Sequence, residues 1–328
     1  MIKELRLLRT DCTDPYRNLA VEQTLLETVP EETCILYLWQ NRRTVVIGRN
    51  QNAWKECRTT ALEADGGFLA RRLSGGGAVF HDLGNLNFTF LVNKPDYDLP
   101  RQLEVIVEAC RSLGIPASCS GRNDVLADGR KFSGNAFYEH RGKSYHHGTL
   151  LVDVDTSAMG RYLSPSKAKL EAKGVSSVRS RVVNLRELKP DLTVAEMAAR
   201  MEEAFQKVYA LTAHRLKETD LDQDRIETLT RRNGRWEWLY GRELACTMQC
   251  SERFGWGGID LRLTVEGGVI VQAAVYTDAM DWTLAPALES ALTNCRFRLE
   301  DMRQRIHAAP LTKEVREDLY RLLAGQDL

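Results

Sequence analysis

The chain has 328 residues, of which 43% are hydrophobic and 27% are charged, and its formal net charge is +0 at pH 7. This length is enough for a large core and for two domains, because single cores stop growing at roughly 250 to 300 residues. The balanced charge provides no global attraction for nucleic acid or for an anionic membrane, so any anion must be recognised by a local cluster. No apolar run reaches the roughly 18 to 20 residues that span a bilayer, and the N-terminal stretch lacks the apolar core of a secretory signal.

The first third of the chain predicts several strands and one helix. Asp14 is a good N-cap before apolar residues at helical spacing, which predicts a helix through Val29. A break at residues 41–43 predicts that the two strands on either side of it form an antiparallel hairpin. The runs typical of strands are residues 1–10, Ile35–Gln40, Thr44–Asn50, Phe68–Ser74, Ala78–Asp82 and Leu86–Val92.

The middle of the chain predicts two more helices and a second hairpin. One amphipathic helix is expected over Arg101–Gly114, and another begins after Thr193 as its cap. Asp128-Gly129 is a strong hairpin turn, which places Lys131 near the start of the returning strand. Residues 145–155 alternate like a strand.

The last third of the chain predicts a separate small domain. Beyond about residue 216 the sequence becomes charged and mixed, which suits a linker or a bridging helix. After residue 240 a strand pattern returns, with a hairpin at Glu266-Gly267-Gly268, and helices are expected around Pro286–Leu292 and Leu311–Leu323. Strands followed by helices behind a charged connector predict an α+β domain, so we expect domains at 1–244 and 245–328.

The eight cysteines are scattered, with no Cys-x-x-Cys pair. A chain of this size does not depend on disulfides, so the pattern predicts reduced thiols in a cytoplasmic protein. Cys246 and Cys250 lack a matching second pair of metal ligands. His146 and His147 are adjacent on a strand and would point to opposite faces, so we expect one of them to contact the core or a substrate rather than a shared metal ion.

The stretch RRLSGGGAVFHDLGN, from Arg71 to Asn85, places three glycines beside two arginines. Glycine lets a backbone approach a ligand closely and exposes N–H groups to an anion, so residues 75–77 are a candidate phosphate cradle. A bulged strand or a tight hairpin end is the structural alternative. Neither GxxxxGK[ST] nor a GxGxxG between strand and helix is present, so the loop belongs to another architecture.

Two further basic segments have both a functional and a structural interpretation. Lys131 lies among cations and glycines that echo the first stretch, which favours a position facing the same ligand over a solvent-exposed one. The basic residues between Lys167 and Arg181 form either a solvated face or a flap that closes over polyphosphate. They lack the interleaved aromatic residues of an RNA-binding surface.

Three stretches resemble, in order and spacing, the motifs of the lipoate–protein ligase A family: RRLSGGGAVFHDLGNLNFTF, GRNDVLADGRKFSGNAFYEHRGKSYHHGTLLVDVD and KLEAKGVSSVRSRVVNL. DPYRNLAVEQ, TVVIGRNQNAWKEC and FGWGGIDLRLTVEGG agree, so the resemblance covers essentially the whole chain. It implies an α+β fold similar to the catalytic domain of biotin ligases and class II synthetases, a mixed sheet with flanking helices. It also implies the small C-terminal accessory domain of the long bacterial form.

The resemblance implies a two-step reaction. Lipoate and ATP, with Mg²⁺ carried mainly by the ATP phosphates, give lipoyl-adenylate (lipoyl-AMP) and pyrophosphate. The acyl group then passes to one lysine of an apo lipoyl domain, in a 2-oxoacid dehydrogenase E2 subunit or the glycine cleavage H protein. No metal ligand in the protein, no nucleic acid and no membrane is implied.

The resemblance also assigns residues. Lys131 is the catalytic cation, which stabilises charge between the two reacting anions. The ATP-binding positions are Arg72, Gly77, Ala78, Val79, Phe80, Asn123, Asp124 and Lys131. Lipoate is assigned to Lys131, Arg72 and His147, within an apolar slot whose burial of four methylenes is worth about 3 kcal/mol. A loop that closes over the adenylate, and so excludes water from the mixed anhydride, contains Lys173, Gly174, Val175, Arg179 and Arg181.

Three alternatives stay open on the sequence. An octanoyltransferase of the same fold takes a thioester, and some versions use a catalytic cysteine, but none of the eight cysteines lies in the three main motifs. A lipoyltransferase would accept preformed lipoyl-AMP without making it. A non-catalytic sensor is disfavoured by the intact Lys131 and glycine run.

Overall fold

The computed structural model describes residues 1–120, 124–163, 182–240 and 248–325. The chain divides into two compact units, of which the larger comprises Met1–Val46, Cys57–Ala70 and Val79–Arg235. The smaller unit combines the C-terminal part of the chain with two short early segments: Ile47–Glu56, Arg71–Ala78 and Trp236–Leu328. The expected boundary at residue 244 falls within 241–247, outside the described residues, and stays a prediction.

The described strands are β1 (Glu4–Arg9), β2 (Thr33–Trp39), β3 (Thr44–Ile47), β4 (Phe68–Arg71), β5 (Val79–His81), β6 (Asn85–Asn93), β7 (Ala117–Ser120), β8 (Asp124–Ala127), β9 (Arg130–His140), β10 (Lys143–Leu151), β11 (Ala213–Arg215), β12 (Met248–Phe254), β13 (Gly257–Glu266) and β14 (Val269–Thr277). The described α-helices are α1 (Pro15–Thr28), α2 (Ala53–Glu56), α3 (Thr59–Ala64), α4 (Leu99–Ser112), α5 (Thr156–Tyr162), α6 (Leu185–Leu188), α7 (Val194–Tyr209), α8 (Gln223–Asn233), α9 (Trp236–Leu239), α10 (Leu284–Leu292), α11 (Leu299–Ala308) and α12 (Lys313–Ala324).

The larger unit is built on an eight-stranded mixed sheet in the order β11-β1-β2-β6-β10-β9-β8-β7. β1 runs parallel to both β2 and β11, and the other neighbouring strands are antiparallel. A second sheet has the order β4-β3-β5. The fold is therefore α+β with a mixed sheet, as the sequence predicts.

The predicted hairpin around residues 41–43 is wrong. β2 lies between β1 and β6 in the large sheet, whereas β3 lies between β4 and β5 in the small one. Every residue of both strands is buried. Buried strands need hydrogen-bonding partners on both sides, and here each strand finds both of them elsewhere in the chain.

The predictions of α1 and α7 are confirmed, and each helix begins at the predicted capping side chain. The Asp14 carboxylate accepts from the backbone N–H of Tyr16 at 2.8 Å and starts α1, and the Thr193 hydroxyl accepts from Glu196 N–H at 3.1 Å and starts α7. α4 begins two residues before the predicted start, with Asp98 as its cap. The sequence misses α11, whose N-cap residue makes no side-chain cap hydrogen bond.

The large sheet is covered on both faces. Alternate side chains of β2 and β6, among them Phe88 and Phe90, pack with α4 and α7 in one continuous core. α1 packs against β2, β6 and β10 and also against α8, so the charged stretch beyond residue 216 contains a helix of the larger unit. The adjacent residues His146 and His147 point to opposite faces of the sheet. His146 contacts Gln102 of α4, and His147 contacts Glu22 of α1.

The smaller unit has its own core and its own sheet. β12, β13 and β14 form an antiparallel sheet, and α10, α11 and α12 supply the apolar residues that pack with it. The predicted turn at residues 266–268 is confirmed, with φ values of 57° at Gly267 and 76° at Gly268. The seven described cysteines are free, and the described helices include none long and apolar enough to cross a membrane.

Candidate functional site

A tight hairpin between β8 and β9 carries Lys131. The two turn residues have left-handed backbones, with φ of 51° at Asp128 and 69° at Gly129. Turns of this type match the twist of the flanking strands, and Asp-Gly is among their preferred sequences. The structure therefore confirms the predicted turn and places Lys131 as the second residue of β9.

A β-bulge follows immediately and reverses the faces of β9. Leu126 pairs with Lys131, but Val125 pairs with Ser133, so Phe132 is an extra residue without a partner. Such a bulge re-aims the side chains beside it. Phe132 is fully buried in the core that contains α4 and α7, and the side chain of Lys131 lies on the opposite face, over Gly134.

Lys131 has an accessible ammonium in a defined position. Its Nζ lies 2.6 Å from Oδ1 of Asp124, and the two side chains are 37% and 42% exposed. An ion pair this exposed contributes about 0 to 1 kcal/mol to stability, so an anionic ligand can compete for the ammonium. A Cβ on Gly134 would lie only 3.1 Å from Nζ, and the same point is 3.9 Å from Oγ1 of Thr149. Asp124 and Lys131, both predicted as site residues, are thus brought together.

His147 lies on the same face of the sheet as Lys131, because it is two residues from Thr149 on β10. Its Nδ1 lies 2.8 Å from Oε1 of Glu22, which also accepts from the Thr89 hydroxyl at 2.7 Å. The Trp39 indole N–H donates to Thr89 at 3.1 Å. Since a carboxylate only accepts hydrogen bonds, this buried chain fixes the orientation of the His147 ring.

Glu22 is a site residue that the sequence reasoning missed. It is 2% exposed on α1. The signal was available, because Leu19, Glu22 and Leu26 follow the helical spacing of one face, where a carboxylate is unexpected. Buried charges of this kind are normally paired, and here His147 and Thr89 supply the partners.

His146 takes the structural role that was one of the two alternatives for the histidine pair. Its Nδ1 is 3.1 Å from Gln102 and its Nε2 is 2.8 Å from Asn135. Complete burial, with a smaller contribution from His147, lowers the pKa of His146 to about 3. His146 is therefore neutral and belongs to the core, which leaves His147 as the histidine on the Lys131 face.

The glycine run packs against its own chain. A Cβ on Gly75 would lie 2.3 Å from the carbonyl oxygen of Ala279, and Gly76 has a φ of 89°. The N–H of Gly76 donates to Ala279 at 3.0 Å, so the expectation that this amide faces an anion is not met. Close backbone contact and a left-handed conformation account for these two glycines. Gly77, Ala78 and Val79 are partly exposed.

The arginines that precede the glycines hold the loop together. The Arg72 guanidinium donates to the carbonyls of Gly75 at 2.7 Å and Gly77 at 2.8 Å, and to the Ser74 hydroxyl at 3.0 Å. Arg71 is likewise buried and donates to five backbone carbonyls, in residues 48, 49, 51, 238 and 239. The ligand-binding role expected for Arg72 stays a prediction beside this structural one.

The remaining predicted site residues are either buried or outside the described residues. Phe80 is 2% exposed, pairs with Val45 on β3 and packs its ring on Tyr162, so its backbone is part of a sheet. Outside the described residues lie Asn123, Lys173, Gly174, Val175, Arg179 and Arg181. Across the described ranges, no group of three or more His, Cys, Asp or Glu side chains is arranged to hold a metal ion.

Two family models match the chain. Residues 14–206 match the model described as lipoyl protein ligase A/B catalytic domain. Residues 243–322 match the model described as bacterial lipoate protein ligase C-terminus.

Solved structures agree with the family models. The chain is similar to LipL1 of P. falciparum in complex with lipoate, with 26% identity, a TM-score of 0.86, and coverage of 98% of this chain and 100% of that one. It is similar to a bipartite lipoate protein ligase of Thermoplasma acidophilum, studied with its E2 lipoyl domain, with 27% identity, a TM-score of 0.63, and coverage of 75% and 99%. A lipoate-protein ligase A bound with ATP has 26% identity, a TM-score of 0.60, and coverage of 74% and 99%.

Proposed function

This chain belongs to the lipoyl protein ligase A/B catalytic-domain family, and we propose that it is an ATP-dependent ligase that attaches lipoate to a specific lysine of apo lipoyl domains. The observation that carries the proposal is the Lys131 ammonium. It is half-exposed, held at 2.6 Å by Asp124, and lies on the sheet face that also presents His147.

The first step forms lipoyl-AMP. A carboxylate oxygen of lipoate attacks the α-phosphorus of ATP, the bond from that phosphorus to the β-phosphate bridging oxygen breaks, and pyrophosphate leaves. Two anions must approach each other, so a fixed cation lowers the barrier. Lys131 supplies this cation, and Asp124 holds the ammonium in place before the nucleotide arrives.

The second step transfers the acyl group. The ε-amine of the acceptor lysine attacks the carbonyl carbon of lipoyl-AMP, the bond from that carbon to the phosphate oxygen breaks, and AMP and a proton are released. The ammonium of Lys131 stabilises the negative charge that develops on the carbonyl oxygen. Exclusion of water from the anhydride is the role proposed for the loop that contains Lys173, Gly174, Val175, Arg179 and Arg181.

The remaining assignments follow the chemistry of the side chains. The backbone of Gly77, Ala78 and Val79, three partly exposed residues, binds the nucleotide, with Phe80, Asn123 and Asp124 as further nucleotide positions. Arg72 shapes this loop and contacts the substrates. His147, oriented by Glu22, contacts lipoate. Mg²⁺ is proposed to be carried mainly by the ATP phosphates, whose oxygens are the ligands it prefers.

The proposed acceptors are lipoyl domains. The Thermoplasma acidophilum ligase was analysed with an E2 lipoyl domain, which supports E2 subunits as partners, and the glycine cleavage H protein is a further predicted acceptor. A cytoplasmic location completes the proposal, and the seven described cysteines, all of them free, agree with a reducing compartment.

A cysteine-dependent acyl transfer is disfavoured by the thiols themselves. Burial raises the pKa of the Cys34, Cys57 and Cys110 thiols to about 12. A nucleophilic cysteine needs a lowered pKa, because the thiolate is the reactive form. These thiols are therefore unsuited to forming a thioester intermediate.

Lipoate-dependent exchange of labelled pyrophosphate into ATP tests the proposal. We expect exchange in the wild-type protein and none in Lys131→Ala, with the urea unfolding midpoint shifted by less than the equivalent of about 1 kcal/mol because the ion pair is exposed. Near-normal turnover in Lys131→Ala would remove this residue from its role. If exchange is absent but supplied lipoyl-AMP still modifies a lipoyl domain, the protein is a transferase and not a ligase.

A further inference from the structure

A third arginine, Arg49, lies against the glycine loop in the smaller unit. Its backbone N–H donates to the carbonyl of Ser74 at 3.0 Å. A Cβ on the preceding residue, Gly48, would lie 2.2 Å from the carbonyl oxygen of Gly76. The two stretches of backbone are therefore in direct contact, and Arg49 is attached to the edge of the loop.

Two tryptophan rings hold the Arg49 guanidinium. Its central carbon is 5.6 Å from the ring centre of Trp238 and 5.5 Å from that of Trp282. The Trp238 ring is itself anchored, since its indole N–H donates to the carbonyl of Arg71 at 3.2 Å, and the backbone carbonyl of Trp282 accepts from the Asn50 side chain at 2.9 Å. Cation–π contacts on two rings restrict a long side chain to a small region.

Arg49 differs from the neighbouring arginines in what its guanidinium donates to. The guanidinium groups of Arg71 and Arg72 donate hydrogen bonds to backbone carbonyls. Within the part of the chain that the structure describes, the guanidinium of Arg49 contacts the two indole rings and has no hydrogen bond or ion pair. It is a partly exposed cation whose planar fork suits the oxygens of a phosphate group.

We propose that Arg49 binds a phosphate group of the polyphosphate anion that ATP and pyrophosphate share. This proposal rests on the proposed function, since it makes Arg49 a cation that neutralises part of the negative phosphate charge during the adenylation step. Arg72 then shapes the loop by binding its carbonyls, and Arg49 supplies a cation with open donors at the edge of that loop. Trp238 and Trp282 are positioning residues, because they act through Arg49.

Calorimetric titration of ATP and of inorganic pyrophosphate, each with magnesium, into the full chain tests this assignment. Arg49→Gln keeps a planar side chain and removes the charge. We expect it to weaken the binding of both ligands by about 10- to 100-fold, the range for a lost hydrogen bond to a charged group. Lipoate binding, measured alone, should not change. The matched control is Arg298→Gln, an exposed arginine of the same unit that pairs with Glu300, and it should leave all three affinities unchanged.

The outcomes separate this inference from the function on which it rests. If the wild-type protein shows no lipoate-dependent pyrophosphate exchange, the proposed function fails whatever Arg49 does. If the wild-type protein exchanges and Arg49→Gln binds ATP and pyrophosphate as tightly as the wild type, the role of Arg49 is overturned. Should Arg49→Gln not fold, Arg49→Lys decides: it keeps the charge without the planar fork, so we expect weakened binding, and wild-type affinity would overturn the proposal.

Discussion

Replacing Gly134 with alanine adds one methyl group beneath Lys131 and leaves the lysine charge in place. The new Cβ would lie 3.1 Å from Nζ and 3.2 Å from Cε of Lys131. Contacts this short are rare, so the end of the lysine side chain must move by a few tenths of an ångström. The substitution therefore tests the position of the ammonium separately from its presence.

The expected effects on stability and on catalysis differ in size. Gly134 lies within β9 and is not among the glycines with a positive φ. Glycine inside a strand is less favourable than alanine by roughly 0.5 to 1 kcal/mol, and the close contacts here are with the flexible end of a side chain. We therefore expect the free energy of unfolding to change by less than about 1 kcal/mol. Displacing a catalytic group by about 1 Å can cost about 100-fold, so a smaller displacement should slow adenylate formation by about 10-fold.

Lipoate-dependent pyrophosphate exchange, with urea unfolding of the same samples, measures both quantities. Gly255→Ala is the matched control, because its Cβ would meet its nearest neighbour, a Glu314 carboxylate oxygen, at an ordinary 3.8 Å. In a Lys131→Ala background, Gly134→Ala should have no further effect on exchange, since the two changes act on one group. Wild-type exchange in Gly134→Ala, together with loss of exchange in Lys131→Ala, would refute the reasoning.

Three further perturbations address the supporting structure. Glu22→Gln replaces the carboxylate that orients His147, and we expect the KM for lipoate in the exchange assay to rise while the KM for ATP is unchanged. Gly75→Ala places a Cβ 2.3 Å from the backbone carbonyl oxygen of Ala279, and urea unfolding should show a loss of about 1 to 3 kcal/mol. His146 has its pKa lowered from 6.5 to about 3 by burial, so the unfolded chain binds its proton more readily. Stability present above pH 6.5 should therefore be lost as the pH falls, by about 1 kcal/mol per pH unit in urea unfolding between pH 6.5 and 5.

Each of these expectations has a result that contradicts it. An unchanged KM for lipoate in Glu22→Gln would mean that the buried carboxylate does not act on the substrate. An unchanged unfolding midpoint in Gly75→Ala would show that the segment at Ala279 yields without cost. For the histidine, His146→Gln removes the titrating group, so a slope with pH as steep as that of the wild type would assign the pH dependence elsewhere.

The sequence predicted those parts of the fold that local signals determine. Asp14 predicts the start of α1 because its side chain accepts hydrogen bonds from the first free N–H groups of the helix. Asp128-Gly129 predicts a turn because both residues tolerate a left-handed backbone. The predicted pairing of β2 with β3 was wrong because strand partners depend on contacts between residues that are far apart in the sequence. The bulge at Phe132 was also hidden, because no local signal shows which residue of β9 lacks a partner on β8.

The candidate site shows the same limit at the level of single residues. The glycine run correctly signalled that something approaches the backbone closely, yet at Gly75 the approaching group is the carbonyl of Ala279, some two hundred positions along the chain. Glu22 was missed because a helical pattern records which positions are buried and not which partners they find. Only the fold shows that His147 pairs with this carboxylate.

The arginines beside the glycine loop show most clearly that residues of one type can have different roles. They are Arg49, Arg71 and Arg72. All three carry the same planar cation beside one loop, and the motif singles out the two that are adjacent to the glycines. Those two donate to carbonyl oxygens of their own unit, which is the usual way in which a buried guanidinium is satisfied. Because these two guanidinium groups already donate to carbonyls, Arg49 is proposed as a further cation for an anion at this loop. The two indole rings hold Arg49 in such a position, and the measured affinity for pyrophosphate decides whether the anion binds there.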